Sequence, residues 1–207
     1  MRYALLSLCL LVPAGLRADD WTKLFNGRDL AGWESVGDGM WTVMRDGTLL
    51  GQRAPKSEHQ AWLYSKQDFE QFDLELEYWT RHRGNSGVSL RDQTRAKYAV
   101  GAMWDRERTP SHNGYEIQIS NGYTSDSYPT GSIYLFAKAK TGVQIENDWN
   151  RMKIESRHDK MRVSLNGQLV CEHEGDPKRP KTGPIGLQLH DPESIAMFRN
   201  IRIRVIR

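Results

Sequence analysis

Disulfide chemistry is the first thing this sequence lacks. It holds two cysteines, Cys9 and Cys171, in 207 residues. Cys9 lies in a leader-like N-terminus, and a chain left with Cys171 alone cannot close an intramolecular disulfide. Stability must then come from a packed core. Long apolar runs are also scarce. The stretch from Tyr3 to Leu16 is too short for a good membrane span, and no later stretch approaches the ~20 apolar residues a spanning helix needs. Nor does one sign of charge dominate, with 29 Lys and Arg against 26 Asp and Glu. The basic residues form no stripe, so nothing points to nucleic acid, and "RNIRIRVIR" reads as a strand with Arg on its solvent side. Helical periodicity is nearly absent, which argues against a βαβ organisation.

What the N-terminus does have is the layout of a secretory signal peptide. "MRYALLSLCLLVPAGLRADD" begins basic at Arg2, continues apolar, and offers small Ala18 before two aspartates, so cleavage is expected after Ala18. The expected destination is the periplasm or the extracellular space. Removing residues 1–18 takes Arg2 and Arg17 and no acid from the 29 basic and 26 acidic side chains, which leaves 27 and 26. The apparent basicity mostly disappears. The remaining residues, 19–207, are enough for a core in one domain.

Strand signals recur through that chain: "FDLELEYW", "GVSLRD", "YEIQI", "SIYLFA", "NRMKIES", "MRVSLNGQLVCEH", "PIGLQLH" and "FRNIRIRVI". Most alternate apolar and polar residues with a period of two, and turn residues punctuate them. Asn166-Gly167 marks the clearest hairpin, because Asn-Gly favours the type I′ turn that matches strand twist. Such a series predicts an all-β fold, a sandwich of two antiparallel sheets. One connection is long. Asp92 to Asn113 shows mixed charge and no period, and a loop of that length in a compact domain is either a binding loop or a solvated insertion. Trp104 within it favours binding, because a large ring needs a surface to pack on.

Sorting the strands by face yields the candidate site. Val88 and Leu90 point inward and leave Ser89 and Arg91. Tyr115, Ile117 and Ile119 leave Glu116 and Gln118, Leu187 and Leu189 leave Gln188 and His190, and Leu74, Leu76 and Tyr78 leave Glu75, Glu77 and Trp79. Outer faces of sandwiches are polar in any case. Even so, Gln, His, Arg and Trp together suit the planar hydrogen bonding and ring stacking that a polyhydroxylated ligand requires. Trp79 and Trp104 are the rings expected near a ligand. Trp41 and Trp149 are expected to pack in the core or a hairpin.

Eight stretches occur in an order that resembles a known family: "LFNGRDLAGW", "GNSGVSLR", "GYEIQI", "TGSIY", "DWN", "LNG", "GPIGLQLH" and "FRNIRI". Together they are similar to the bacterial 3-keto-disaccharide hydrolases, over essentially the whole chain beyond the leader. The resemblance implies a concanavalin-like, lectin-like jelly-roll sandwich, export, and action on glycosides, with a carbohydrate as partner. Two positions depart from the family pattern. Ser120-Asn121 stands where the family often has Leu-Asp, and Gln188-Leu189-His190-Asp191 stands where it commonly has Gln-Asp-His-Gly.

The chemistry follows from how few acids the face carries. Ordinary glycoside hydrolysis uses two carboxyl groups roughly 5–9 Å apart. Positions 116, 118 and 120 offer only Glu116, so a second acid would come from Glu77, Asp105 or Glu107. A 3-keto sugar relaxes the requirement. Its ketone acidifies the hydrogen on carbon 2, one base removes that proton, the glycosidic oxygen leaves carbon 1, and water adds to the enone. The expected set is Glu116 or His190 as base and acid, Arg91 at an oxyanion, and Asn85, Gln118 and Gln188 on hydroxyls. A non-catalytic carbohydrate-binding module and an adhesion domain are the alternatives. No cofactor is expected. No His or Cys spacing suggests zinc, and loop Asp and Asn residues have calcium chemistry without a spacing that demands it.

Overall fold

A computed structural model describes residues 21–53, 56, 58–122, 127–192 and 194–207. The leader expected at residues 1–18 lies outside them. The described strands are β1 (Thr22–Lys23), β2 (Trp33–Val36), β3 (Gly39–Val43), β4 (Leu49–Arg53), β5 (Ala61–Ser65), β6 (Phe72–Thr80), β7 (Asn85–Leu90), β8 (Tyr115–Ser120), β9 (Asn150–Arg157), β10 (Lys160–Leu165), β11 (Gln168–His173), β12 (Ile185–Leu189) and β13 (Ile195–Val205). They form two antiparallel sheets. The larger runs β11-β10-β9-β6-β13-β4-β3, with β1 on the far half of β13, and the smaller runs β2-β5-β12-β7-β8.

The two sheets face each other across one core. Leu74, Leu76 and Tyr78 of β6 meet Val88 and Leu90 of β7, Ile117 and Ile119 of β8, and Leu187 and Leu189 of β12. The period-two alternation dictates this, because each strand has one continuous apolar face to bury. Cys171 is a buried free thiol beside the same core. The Asn166-Gly167 turn forms as expected, with both residues at positive φ, 48° and 84°.

The outer face of the larger sheet is an ionic ladder. Asp73 accepts from Arg157 and Arg204, Glu75 from Arg151 and Arg202, and Glu77 from Arg199 and Asn200. Burial alone would raise these three carboxyls. The guanidiniums outweigh it, and all three lie below their ordinary values. Arg199 and Asn200 therefore tie β13 to β6.

Two expectations change. "SIYLFA" is not a regular strand: Ile133 makes single bridges to Ile117 and to Ala137 around a tight turn. Five strands before Phe72 carry no clear alternation in the sequence. In β3 and β4 the cause is Trp41, whose ring lies across Gly39 and Gly51. A Cβ on those glycines would stand 2.9 and 2.5 Å from its atoms. These glycines look like turn residues, but Gly39 opens β3 and Gly51 sits in the middle of β4, where each admits the ring.

Candidate active site

The outer face of the smaller sheet carries the polar groups that matter. In one cross-strand row Tyr64 pairs with Gly186, Gly186 with Ser89, and Ser89 with Glu116. In the next, Trp62 pairs with Gln188, and Gly87 with Gln118. Two glycines give this face its shape. The Tyr64 ring lies over Gly186, where a Cβ would be 2.4 Å from Cε1. Over Gly87 lean both Glu116 and Gln188: a Cβ there would meet Glu116 Oε1 at 2.9 Å and Gln188 Oε1 at 3.3 Å. Gly87 is the floor on which a carboxylate and an amide converge.

This face is buried because the segment from Arg91 to Gly114 folds over it. Asp92 pins the segment down. Its carboxylate accepts from Thr94 N, Thr94 Oγ1, Ala96 N and the Tyr64 hydroxyl. Burial pushes that hydroxyl well above its ordinary pKa, and the charge of Asp92 and, more weakly, of Glu116 adds to the shift. Tyr64 therefore stays protonated, as a donor. Trp62, Tyr64, Ala96 and Ala99 form a small apolar cluster under the segment. Beyond it the chain makes two 3-10 turns, Gly101–Met103 and Arg106–Arg108, and the short helix α1, Pro110–Asn113. Arg179 donates to the carbonyls of Ser111, His112 and Gly114 and clamps the end of α1.

Between segment and sheet lies a cleft of about 500 Å³. It brings together most of the residues the sequence singled out: Asn85, Glu116, Gln118 and His190 line it, with Trp104 at its mouth. Gln188 lies beside Glu116 over Gly87. Gln188 is 0 % exposed, yet neither amide atom has a hydrogen-bond partner among the described residues, and Asn85 Oδ1 is in the same condition. Buried polar atoms are almost always satisfied, so these mark where a polar ligand belongs. Trp104 is 46 % exposed and stacks on His59, with ring centroids 5.3 Å apart and planes within 8°. His190 is held by its backbone, whose carbonyl accepts from the buried Arg53. A groove of about 570 Å³ crosses the larger sheet, but its arginines and glutamates satisfy one another in the ionic ladder.

Arg91 and Trp79 do not reach the cleft. Arg91 has φ of 62°, which breaks the alternation one residue beyond β7. Its guanidinium turns between the layers and donates to Glu70 O, Ser156 Oγ and His158 O. It joins the two sheets at one end. Trp79 sits on β6, in the other sheet, and its indole donates to Asn147 O. Glu77 shares that wrong face. Asp105 is spent locally, accepting from Glu107 N. Asn85-Ser86-Gly87 is the first half of β7.

Two residues escaped the sequence reading. Gly87 carried a signal, a glycine inside a strand, which often marks close approach of other atoms. His112 also lines the cleft. Thr109-Pro110 before it is a helix-start signature that would have placed it on a fixed turn. Among the described residues, no group of three or more His, Cys, Asp or Glu side chains is placed to hold a metal ion.

Known proteins align with this picture. A provisionally named glycosyl hydrolase from Parabacteroides distasonis is 26 % identical, with a TM-score of 0.71, covering 91 % of this chain and all of its own. A Bacillus subtilis protein with a galectin-like fold is 16 % identical, with a TM-score of 0.63 over 91 % of this chain and 96 % of its own. A carbohydrate-binding module of Bacillus subtilis, CBM66, is 19 % identical, with a TM-score of 0.53 over 84 % and 95 %. These likenesses make the sandwich a lectin-like jelly roll. No curated protein matches the sequence. A sequence profile of 3-keto-alpha-glucoside-1,2-lyase-like domains matches residues 20–204, and the chain belongs to that family.

Proposed function

We propose that the protein is an exported hydrolase of 3-keto-disaccharides or related keto-glycosides, working by elimination and then hydration. The carrying observation is the convergence of Glu116 and Gln188 over Gly87. One carboxylate is held in a buried polar cleft, beside an amide whose two polar atoms have no partner among the described residues.

The substrate's ketone, on carbon 3, makes the carbon 2 hydrogen acidic. Glu116 takes that proton and the electron pair moves toward the ketone oxygen as an enolate. Preorganised donors matter most at such a developing charge. Gln188 Nε2 is suited to that oxygen, in place of Arg91, whose guanidinium is held between the sheets. The enolate then collapses: the ketone re-forms, a double bond forms between carbons 1 and 2, and the glycosidic oxygen leaves with a proton. Addition of water across the double bond returns the proton of Glu116 to carbon 2. Asn85 and Gln118 bind sugar hydroxyls, and Trp104 stacks on an apolar sugar face. His190 exchanges protons at the cleft wall. One domain over residues 19–207, freed of its leader, would suffice.

The rival reading is a non-catalytic carbohydrate-binding module. It is favoured by the likeness to such a module and by Asn121 and Leu189, which stand where the family often has acids. Purified protein should be incubated with 3-keto-trehalose and with trehalose, beside Glu116→Gln. Cleavage of the keto sugar alone, lost in the variant, supports the hydrolase. Tight binding of glycans without turnover of any 3-keto-glycoside would favour the module.

A further inference from the structure

The elimination needs a second proton transfer that Glu116 cannot make. While it holds the carbon 2 proton, another group must supply one to the departing oxygen, because a sugar alkoxide is a poor leaving group. We infer that His112, oriented by Thr109, is that acid. The inference rests on the proposed elimination and assigns its leaving-group side.

Thr109 occupies the N-cap of α1, where a hydroxyl normally accepts from a backbone N–H of the first turn. Here it makes no such bond. Instead Oγ1 lies 2.8 Å from His112 Nδ1 and 3.0 Å from Ser111 Oγ. With Nδ1–H donating to Thr109, and Thr109 donating to Ser111, Nδ1 keeps its proton and Nε2 is the nitrogen that gives one up and takes one back. Nε2 stands 3.9 Å from Glu107 Oε2, at the same wall of the cleft. Hydroxyl, imidazole and carboxylate all line the cleft. The Arg179 clamp on the carbonyl of His112 fixes the backbone that presents the ring.

The division of the cleft agrees. Glu116, Gln188 and Asn85 come from the sheet floor. Trp104, Glu107, Thr109 and His112 come from the covering segment. A keto sugar on the floor places its departing partner against the segment, under Trp104. In the forward step the His112 imidazolium gives its Nε2 proton to the glycosidic oxygen as the bond to carbon 1 breaks, which leaves a neutral ring that keeps Nδ1–H. In hydration the neutral ring takes a proton from water as the oxygen adds to carbon 1. Glu116 meanwhile returns its proton to carbon 2, and both residues regain their starting states. His112 is the catalytic residue of this pair, and Thr109 positions it.

The test compares two substrates of the wild-type protein, 3-keto-trehalose and 4-nitrophenyl 3-keto-glucoside. The nitrophenolate leaves without protonation. In His112→Gln, cleavage of 3-keto-trehalose should fall roughly 10²–10⁴-fold, the range of general acid catalysis, while first-turnover release of nitrophenolate, which precedes hydration, keeps near the wild-type rate. Glu116→Gln should lose both. Thr109→Val should reproduce the split more weakly, and Thr109→Ser should restore the wild-type pattern, which a merely structural threonine would not do. Thr109→Val also serves if His112→Gln fails to fold. Equal losses on the two substrates, or no loss on either, would overturn the role of His112 and leave the elimination standing. A wild-type protein that cleaves neither substrate would remove the proposed function and this inference with it.

Discussion

Gly87→Ala is the most informative small change in this molecule. The backbone at Gly87 is ordinary strand, so alanine adopts it without strain. The added methyl would sit 2.9 Å from Glu116 Oε1, 3.1 Å from Glu116 Cγ and 3.3 Å from Gln188 Oε1. Carbon and oxygen at van der Waals contact need a few tenths of an ångström more than the closest of these. Glu116 must swing away, and it cannot do so freely, being 5 % exposed under the covering segment. A displacement on the order of 1 Å costs about 10²-fold in rate, close to 2.7 kcal/mol of barrier. Overpacking costs the fold about 1–3 kcal/mol, partly offset by the ~0.5–1 kcal/mol that alanine gains over glycine in a strand. The expected result is a kcat/KM for the keto sugar reduced 10–100-fold, roughly the range of those estimates, in a folded protein whose urea midpoint falls modestly. Turnover at the wild-type rate would refute the argument that Glu116 and Gln188, as placed over Gly87, do the chemistry.

Other outcomes follow from the same geometry. Arg91→Met should cost about 2–4 kcal/mol in urea unfolding, because a buried charged donor leaves three acceptors behind, yet activity per folded molecule should be unchanged; a catalytic defect in a stable Arg91→Met protein would restore its oxyanion role. Trp104→Ala should weaken keto-sugar binding by about 1 kcal/mol, roughly fivefold, and abolish part of the sugar-dependent fluorescence quenching, whereas Trp79→Ala should change neither. Stability should also be lost with acid. The depressed carboxyls of Asp73, Glu75 and Glu77 contribute fully above their ordinary values of 3.8 and 4.5, and that contribution disappears as pH falls through the lower folded-state values. His173, whose pKa burial holds below its ordinary 6.5, adds an earlier loss in the same direction once the pH drops beneath 6.5. Denaturant titrations across pH 3 to 8 read both, and a stability that rises on acidification would contradict them.

The alternation of β6 through β13 made the sandwich legible, because most of those strands carry apolar residues on the core face and polar ones on the other, even where, as in β7, β8 and β12, that polar face is itself buried. The earlier strands were obscured by their own packing. β5 is buried on both faces, under the core and under the covering segment, so no polar phase remains to read, and Trp41 forces glycines into β3 and β4. The polar faces were sorted correctly strand by strand, with Glu116, Gln118, Gln188 and His190 all opposite the core. Which strands share a sheet could not be read from alternation, and so Trp79 was grouped with residues on the other side of the sandwich. Arg91 failed for a local reason: one positive φ at a strand end redirects a side chain that the period would place with Ser89. The covering segment announced itself by length and by Trp104, but His112 acquires meaning only when the turn at Thr109-Pro110 folds it onto the cleft.

The central claim is that Glu116 removes the carbon 2 proton, and solvent deuterium tests it most directly. Cleavage of 3-keto-trehalose in deuterium oxide, followed by mass and NMR analysis of the keto-glucose released, shows whether carbon 2 has exchanged its hydrogen. The account predicts deuterium at carbon 2 in the wild-type product, with exchange and cleavage both lost in Glu116→Gln. Cleavage that leaves the original hydrogen on carbon 2 would mean direct displacement at carbon 1, and the elimination would be wrong.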